Sequence, residues 1–488
     1  MDLSRKVIIL IYGRAFSFLL SLLIPLTLTR LLLKEDYGSY QQLVMIYTIV
    51  QAILLFGMPQ SLLYYFPRKE ESEHPLLIRQ TWLILLSSAL FVITIFWAGS
   101  ELMKTSLPDH HLQSFIFLLG IYTGIMLLVM PIQNLLILEN KESLAMKSMI
   151  GFTIIDIIVL PIAAWYNPTT LGMIHGIIGT AISKLVIVLY YIYQNYLNKS
   201  ITGIPYYRDQ LVYGIPVGLT AMIYVLNVNI DKYMVGMFFS SSVFAVYYLG
   251  SLWAPIFGWV TQSASQVVTP RMSKAHKNGN LVEIQLLYKK SIENLSIIFL
   301  PATLLLALIA EPLIVTLFTE NYKGAVPIFT IYLILLPTYA LNLSWIIMAS
   351  GQTRFLLRLA ITTSIINVIL SYFLLTTLEG DNRLLGIPFA TVTVTWISTI
   401  IIMYKSITTI QTKLSEAYPW KKMMNIAMIS IISGAPVAGL LFLELPDIIL
   451  LFGSVIIYSL VFLMFGFKFN ILEESEINLL KSFFSFKN

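Results

Sequence analysis

YGIPVGLTAMIYVLNVNIDKYMVG, residues 213–236, is apolar for long enough to cross a bilayer, yet Asp231 and Lys232 stand side by side within it, just after Asn227 and Asn229. A charge at the centre of an isolated membrane helix costs roughly 2.5–3.5 kcal/mol. The stretch therefore asks whether the chain is a membrane protein and, if so, what its interior is for. Composition answers the first question. Of 488 residues 57% are hydrophobic and 11% charged, with a mean hydropathy of +0.81, whereas soluble domains carry about 25% charged residues.

Apolar runs of about 20 residues, enough to span some 30 Å of hydrocarbon as helix, recur from end to end. Fourteen are predicted, the first seven at about 7–29, 38–66, 78–99, 112–138, 148–166, 171–193 and 211–238. The others lie at about 242–270, 293–318, 325–349, 355–378, 384–404, 423–443 and 446–467. The start, MDLSRKVIIL, is basic and then apolar with no small-residue cleavage site, and reads as a retained first helix.

Fourteen crossings put both termini on one side. Placing that side in the cytoplasm gives 23 Lys and Arg residues to inner segments, 5 to outer segments and 3 (Arg14, Lys184, Lys232) to the spans, accounting for all 31. This is the asymmetry of the positive-inside rule. The net charge of +6 then belongs to loops facing anionic lipid rather than to a nucleic-acid surface, and no basic stretch is interleaved with aromatics as single-strand binding needs. There is no cysteine, which excludes disulfides and thiolate metal sites. His110 and His111 are adjacent and cannot share a helix face, so neither a metal nor another cofactor is expected. The longest outer loop, SELMKTSLPDHH at 100–111, carries no paired carboxylates, which argues against an enzyme such as a polytopic glycosyltransferase or polymerase.

The chain also repeats itself. Tyr12–Gly13 is answered by Tyr213–Gly214 at an offset of 201, and Phe66–Pro67–Arg68 by Thr269–Pro270–Arg271 at 203. Glu101 to Tyr122 is answered by Glu311 to Tyr332, and GIIGTAIS from Gly176 by GIPFATVT from Gly386, both at 210. The expected fold is therefore an all-α polytopic membrane protein with two pseudo-symmetric six-helix lobes and an unpartnered C-terminal helix pair. Its parts are an N-terminal lobe (1–193), a polar linker (194–210), a C-terminal lobe (211–404), a second linker (405–422), the helix pair (423–467) and a cytoplasmic tail (468–488). Six crossings return the chain to its starting side, so the repeats are parallel; in transporters built this way the substrate binds between the lobes, which alternate access by rocking. The helix pair is then expected at the periphery. In the long inner loop 270–295, LVEIQLLYKK has apolar and basic faces and is expected to lie on the inner leaflet.

LLIPLTLTRLLLKEDYGSYQQL and FGMPQSLLYYFPR resemble the opening of the polysaccharide-transporter, or O-unit flippase, family, in which the first helix runs into an Arg-Leu turn with Gly-x-Tyr. The quoted stretch, continued through MFFSSSVFAVYYLG, resembles the family's seventh-helix signature, with Ala245 where the family usually has Gly. EPLIVTLFTENYKGAVPIFTIY resembles its ninth-to-tenth connection. The resemblance spans nearly the whole chain. It implies a multi-pass protein of the bacterial inner membrane, in the multidrug/oligosaccharidyl-lipid/polysaccharide exporter superfamily. It further implies passage of an undecaprenyl-diphosphate-linked oligosaccharide, such as an O-antigen repeat unit of lipopolysaccharide, from the cytoplasmic to the periplasmic leaflet. The partners implied are that lipid-linked oligosaccharide, membrane lipids, and the polymerase and chain-length machinery. Lipid II flippases and multidrug exporters are the related alternatives.

A diphosphate with sugars needs cations and hydrogen-bonding groups along its path, and Arg suits phosphate because its fork binds two oxygens. Arg14, near the inner end of the first helix, is placed either to meet a diphosphate or to snorkel to the interface. Lys184, near mid-depth, either binds substrate or pairs with Asp156 at similar depth. Asp231 and Lys232 are about 100° apart on a helix, so one is expected to line a hydrated space while a neighbouring helix holds the other. Asn227 would share the face of Asp231, with Tyr224 above. Substrate binding is thus assigned to Arg14, Lys184, Lys232, Asp231 and Asn227, and Asp156, Asp231 and Glu311 are the candidates for a coupling ion. Tyr190, Tyr191, Tyr193, Tyr196, Tyr206, Tyr207 and Tyr213 read as an interfacial aromatic belt.

Overall fold

The computed structural model describes residues 13–106, 110–200, 203–252, 254–380, 382–443, 445–469 and 471. Among the described residues every regular element is helical. The chain divides into two compact units, one running to Asn229 and including Phe239–Ala245, the other holding Ile230–Phe238 and Val246 onward. The division falls inside the opening stretch, beyond the polar linker at 194–210.

The first unit contains α1 (Gly13–Leu31), α2 (Lys34–Leu54), α3 (Met58–Tyr65), α4 (His74–Ser106), α5 (His110–Val129) and α6 (Ile132–Leu138). It continues with α7 (Glu142–Tyr166), α8 (Thr170–Ile192) and α9 (Tyr207–Val228). After the short α10 (Ile230–Phe238), α11 (Ser241–Ser251) carries residues of both units. The second unit continues through α12 (Ala254–Lys277), α13 (Leu281–Leu308), α14 (Ala310–Phe318), α15 (Ala325–Leu333), α16 (Leu336–Leu341) and α17 (Trp345–Ala349). It ends with α18 (Thr353–Thr377), α19 (Asn382–Thr409), α20 (Leu414–Ala417), α21 (Trp420–Leu441) and α22 (Asp447–Lys468).

Eleven of the helices among the described residues are long and apolar enough to cross a membrane, and α2 with α3, bent by 40°, makes a twelfth. Their flanks leave large apolar side chains such as Leu90, Phe91, Ile158 and Trp165 exposed, as a lipid-facing surface requires. The chain is a multi-pass membrane protein. Twelve of the fourteen predicted runs correspond to these spans; the other two, 242–270 and 325–349, are segmented. The first is split between α11 and α12, and α12 is polar along Thr261, Ser265 and Gln266. The second is split into α15, α16 and α17, because Pro337 in the first turn of α16 cannot donate to the turn before it.

LVEIQLLYKK does not form a separate surface helix. It is the first part of α13, whose Ile284, Tyr288 and Ile292 are buried, and the Tyr288 hydroxyl lies 2.6 Å from that of Tyr418. Protein covers the face with Ile284 and Tyr288, while Val282 and Leu286 stay exposed. The C-terminal pair likewise belongs to the second unit's core. Ile426, Ile429 and Val437 of α21 cluster with Tyr458 and Phe462 of α22 and with Ile309, and Tyr458 donates a hydrogen bond of 3.1 Å to the Pro301 carbonyl of α13. Truncation after residue 422 would uncover this cluster.

The glycines of the opening motif have a packing reason. The chain turns between α2 and α3 through two successive left-handed residues, Phe56 (φ 45°) and Gly57 (φ 63°), and α9 lies directly against that turn. A Cβ on Gly214 would stand 2.3 Å from the Phe56 carbonyl oxygen, and one on Gly57 2.2 Å from the Gly214 carbonyl oxygen. Both obstacles are backbone, which cannot swing aside. Gly214→Leu is therefore expected to cost roughly 3 kcal/mol or more, read as a lost folded fraction in detergent; a Tm unchanged from wild type would contradict this packing. Gly38 of the Gly-x-Tyr turn is held the same way, since its Cβ would fall 1.7 Å from the Ser241 carbonyl oxygen. Asp36 beside it caps α8, accepting from the Thr170 backbone N–H at 2.7 Å and from its hydroxyl at 2.8 Å.

Candidate functional site

Two carboxylates within the apolar helices organise polar contacts, Asp156 in the first unit and the buried Asp231 in the second. In the first, Asp156 of α7 faces Lys184 of α8. The Lys184 Nζ donates to both carboxylate oxygens, at 2.6 and 2.7 Å, and the lysine side chain is only 8% exposed. Of the two readings open for Lys184, its geometry is that of the pair. The α7–α8 contact explains why the charges sit opposite one another: the helices pack side by side, with Leu160 and Ala164 of α7 and Ile177 and Ala181 of α8 buried.

In the second unit Asp231, in the first turn of α10, is buried and held by two tyrosines. Tyr247 of α11 donates to its Oδ2 at 3.2 Å, and the Tyr332 hydroxyl of α15 donates to the same oxygen. The two hydroxyls are themselves 2.7 Å apart. Tyr332 also meets Thr391 of α19, which is within 3.4 Å of the Asn367 amide of α18; the Ser371 hydroxyl donates to the Asn367 side-chain oxygen at 3.0 Å. A continuous polar chain thus joins Asp231 to α18 through three intervening helices. Each group would be costly to bury alone. Lys232, the next residue, is partly exposed and has interactions of its own. Asp231 is held by neighbouring helices.

The expected shared face of Asn227 and Asp231 is not formed. α9 ends at Val228, and Asn229 (φ −123°, ψ 13°) leaves helical geometry, its side-chain amide donating back to the Val225 carbonyl at 3.0 Å. A face four residues apart needs an unbroken helix. Asn227 stays on α9, partly exposed, and Asp231 opens the next helix. Arg14 is exposed near the start of α1. Glu311, in the first turn of α14, pairs with Lys323 at 2.5 Å on the exposed surface and holds that ammonium's pKa above its usual value. The structure therefore brings together Lys184 with Asp156, and pairs Glu311 with Lys323 instead.

The tyrosines read as a belt divide into two sets. Tyr190 and Tyr193 are exposed, as a belt requires. Tyr191 and Tyr196 turn inward, and both hydroxyls donate to Glu139, which also pairs with Lys141 at 2.6 Å. Arg79 closes the same end of α8, its Nη2 donating to the carbonyls of Tyr196, Leu197 and Lys199 at 2.8, 2.7 and 2.5 Å. Sequence reading missed Glu139 and Arg79, as well as Tyr247, Tyr332 and Asn367. The one signal for them was a polar or charged residue beside or within an apolar run, which names no partner. No group of three or more metal-ligating side chains occurs among the described residues.

Comparison with known proteins follows this geometry. Residues 27–327 match the family described as "Polysaccharide biosynthesis protein". No curated protein matches the chain by sequence. Among solved structures it resembles the lipid II flippase MurJ in an inward closed conformation, with a TM-score of 0.74 and 17% identity over 95% of this chain and 98% of that one. It also resembles an inward-facing multidrug resistance MATE family transporter of the MOP superfamily, with a TM-score of 0.66 and 14% identity over 81% of this chain and 94% of the other. A MOP superfamily transporter from Pyrococcus furiosus gives a TM-score of 0.52 at 16% identity, over 84% and 96% of the two chains. The chain has the fold of these exporters, and by the match over residues 27–327 it belongs to the polysaccharide biosynthesis protein family.

Proposed function

We propose that this protein flips a polyprenyl-diphosphate-linked oligosaccharide, a repeat unit of a surface polysaccharide such as O-antigen, from the cytoplasmic to the outer leaflet of the bacterial inner membrane. It does so by alternating access, with both termini in the cytoplasm, and moves its substrate without changing a covalent bond. The observation that carries this reading is the family match combined with the reach of the structural likeness. The likeness to the lipid II flippase runs through 95% of this chain, whereas the multidrug exporter covers 81% of it although 94% of that chain is used. The excess over the multidrug exporters suits a substrate with a long lipid, and the family description supports a role in polysaccharide assembly. A lipid II flippase is the second reading, favoured by the same structural likeness.

In this reading Arg14 and Lys232 supply positive charge to the path of a diphosphate. Asn227 adds hydrogen bonding, the Lys184–Asp156 pair keeps one cation within the first unit, and Asp231 is the leading candidate for a coupling ion. Two charges about 4 Å apart gain roughly 4 kcal/mol at an effective dielectric near 20, so reversing a cation on the path should be severe. Arg14→Glu and Lys232→Glu are expected to abolish surface polysaccharide in a deletion strain while the protein still reaches the membrane. Arg14→Lys should retain part of it, because the charge survives and the two-oxygen fork does not. Wild-type polysaccharide from Arg14→Glu, at equal membrane abundance, would contradict the assignment.

A further inference from the structure

At the end of α3 the first unit carries a cleft of about 360 Å³ lined by Leu63, Tyr64, Pro67, Arg68 and Tyr213. Its walls are ordered by ring contacts. Tyr64 stacks on Tyr213 of α9 with centroids 4.3 Å apart and planes 24° from parallel, and Tyr65 meets both rings nearly edge-on. The Arg68 guanidinium carbon lies 3.4 Å from the Tyr64 ring centroid, and its Nη1 donates to the Tyr64 carbonyl at 2.9 Å. Among the described residues this is the one hydrogen bond of an exposed guanidinium that has five N–H donors. Lys69, alongside, pairs with Glu73 at 3.1 Å and lies 4.4 Å from the Tyr206 ring centroid.

The Pro–Arg of the second repeat, Pro270–Arg271, lies inside α12 and follows Val267, Val268 and Thr269, whereas Pro67–Arg68 ends a helix and follows Tyr64, Tyr65 and Phe66. The rings are an addition to one repeat. Their chemistry suits a phosphorylated sugar: a planar cationic fork for two phosphate oxygens, the Tyr213 ring beside it for a pyranose, and apolar Leu63 and Pro67, while Tyr64 is sandwiched between Tyr213 and the Arg68 guanidinium and holds both in place. The volume is in the range of small-ligand sites, about 300–1,000 Å³.

We infer that this cleft is a capture site for the sugar–phosphate headgroup of a lipid, with Arg68 holding phosphate, Tyr213 holding the adjoining sugar and Tyr64 positioning both. The inference rests on the transport reading above and gives its substrate a first point of contact outside the buried charges. The test uses the full chain in phosphatidylcholine nanodiscs, with undecaprenyl diphosphate bearing one N-acetylglucosamine as the probe. Arg68→Gln and Tyr213→Leu are each expected to weaken probe binding about tenfold, and Tyr213→Phe to leave it within about twofold. Melting curves accompany each variant. Arg68 is exposed, so Arg68→Gln should stay folded and carries the test if Tyr213→Leu does not. Unchanged binding in a folded Arg68→Gln, with wild type binding the probe, overturns the site alone. An equal loss of phosphatidylglycerol retention in a parallel nanodisc overturns it too, showing a general anionic-lipid contact. Absence of probe binding by wild type overturns the transport reading and the site together.

Discussion

Lys184→Glu is expected to abolish accumulation of folded protein. The substitution sets a second carboxylate against Asp156 where the lysine now donates at 2.6 and 2.7 Å, on a helix pair where Lys184 is almost fully covered. Removing one partner from a buried pair costs about 3–5 kcal/mol, a large share of the 5–15 kcal/mol by which domains are stable. Lys184→Gln should be milder, since an amide can still donate to Asp156. Exchanging the charges, with Asp156→Lys and Lys184→Asp together, should recover much of the loss. Membrane abundance and melting temperature in detergent read all three. A Lys184→Glu protein that is abundant and melts normally but exports nothing would show that Lys184 serves the substrate and not the fold.

Asp231 gives the second large effect, and two substitutions separate its roles. Asp231→Leu removes the acceptor shared by the Tyr247 and Tyr332 hydroxyls, which are buried and would lose their common partner. The hydroxyls keep each other at 2.7 Å but give up their bonds to the carboxylate, a loss of about 1–3 kcal/mol, so the folded fraction should fall. Asp231→Asn keeps the shape and an accepting oxygen, and the folded protein should persist. If the carboxylate carries a coupling ion, polysaccharide export should still fall at least about tenfold, because the amide cannot bind a proton or a cation in the same way. Full export by Asp231→Asn would remove Asp231 from the coupling role and leave it as a packing group.

The sequence was legible where one-dimensional pattern carries the physics. Apolar run length marks a span by itself, because every backbone group in hydrocarbon must be satisfied within the helix. The glycines at 57 and 214 were visible as parts of motifs, and Asp156 could be set opposite Lys184 because depth in a bilayer can be counted along the chain. What could not be read were partners fixed by packing. Tyr332 is 101 residues from Asp231, and Tyr418 is 130 from Tyr288, so no periodicity links them. The helix break at Asn229 was hidden because the residues on both sides remain apolar enough for one span. LVEIQLLYKK has the faces of a surface helix, and only the contact of Tyr288 with Tyr418 shows which of its residues are buried.

Transport of a diphosphate-linked oligosaccharide can be read as leaflet exchange in a defined membrane. The purified chain would be reconstituted in phosphatidylcholine vesicles containing undecaprenyl-diphosphate oligosaccharide, and the sugar titrated from outside with a membrane-impermeant lectin. The account predicts that the accessible fraction rises from the outer-leaflet share of empty vesicles to nearly all of the sugar, and that Arg14→Glu returns it to the empty-vesicle value. An accessible fraction equal to that of empty vesicles, from wild-type protein that is folded and inserted, would contradict it.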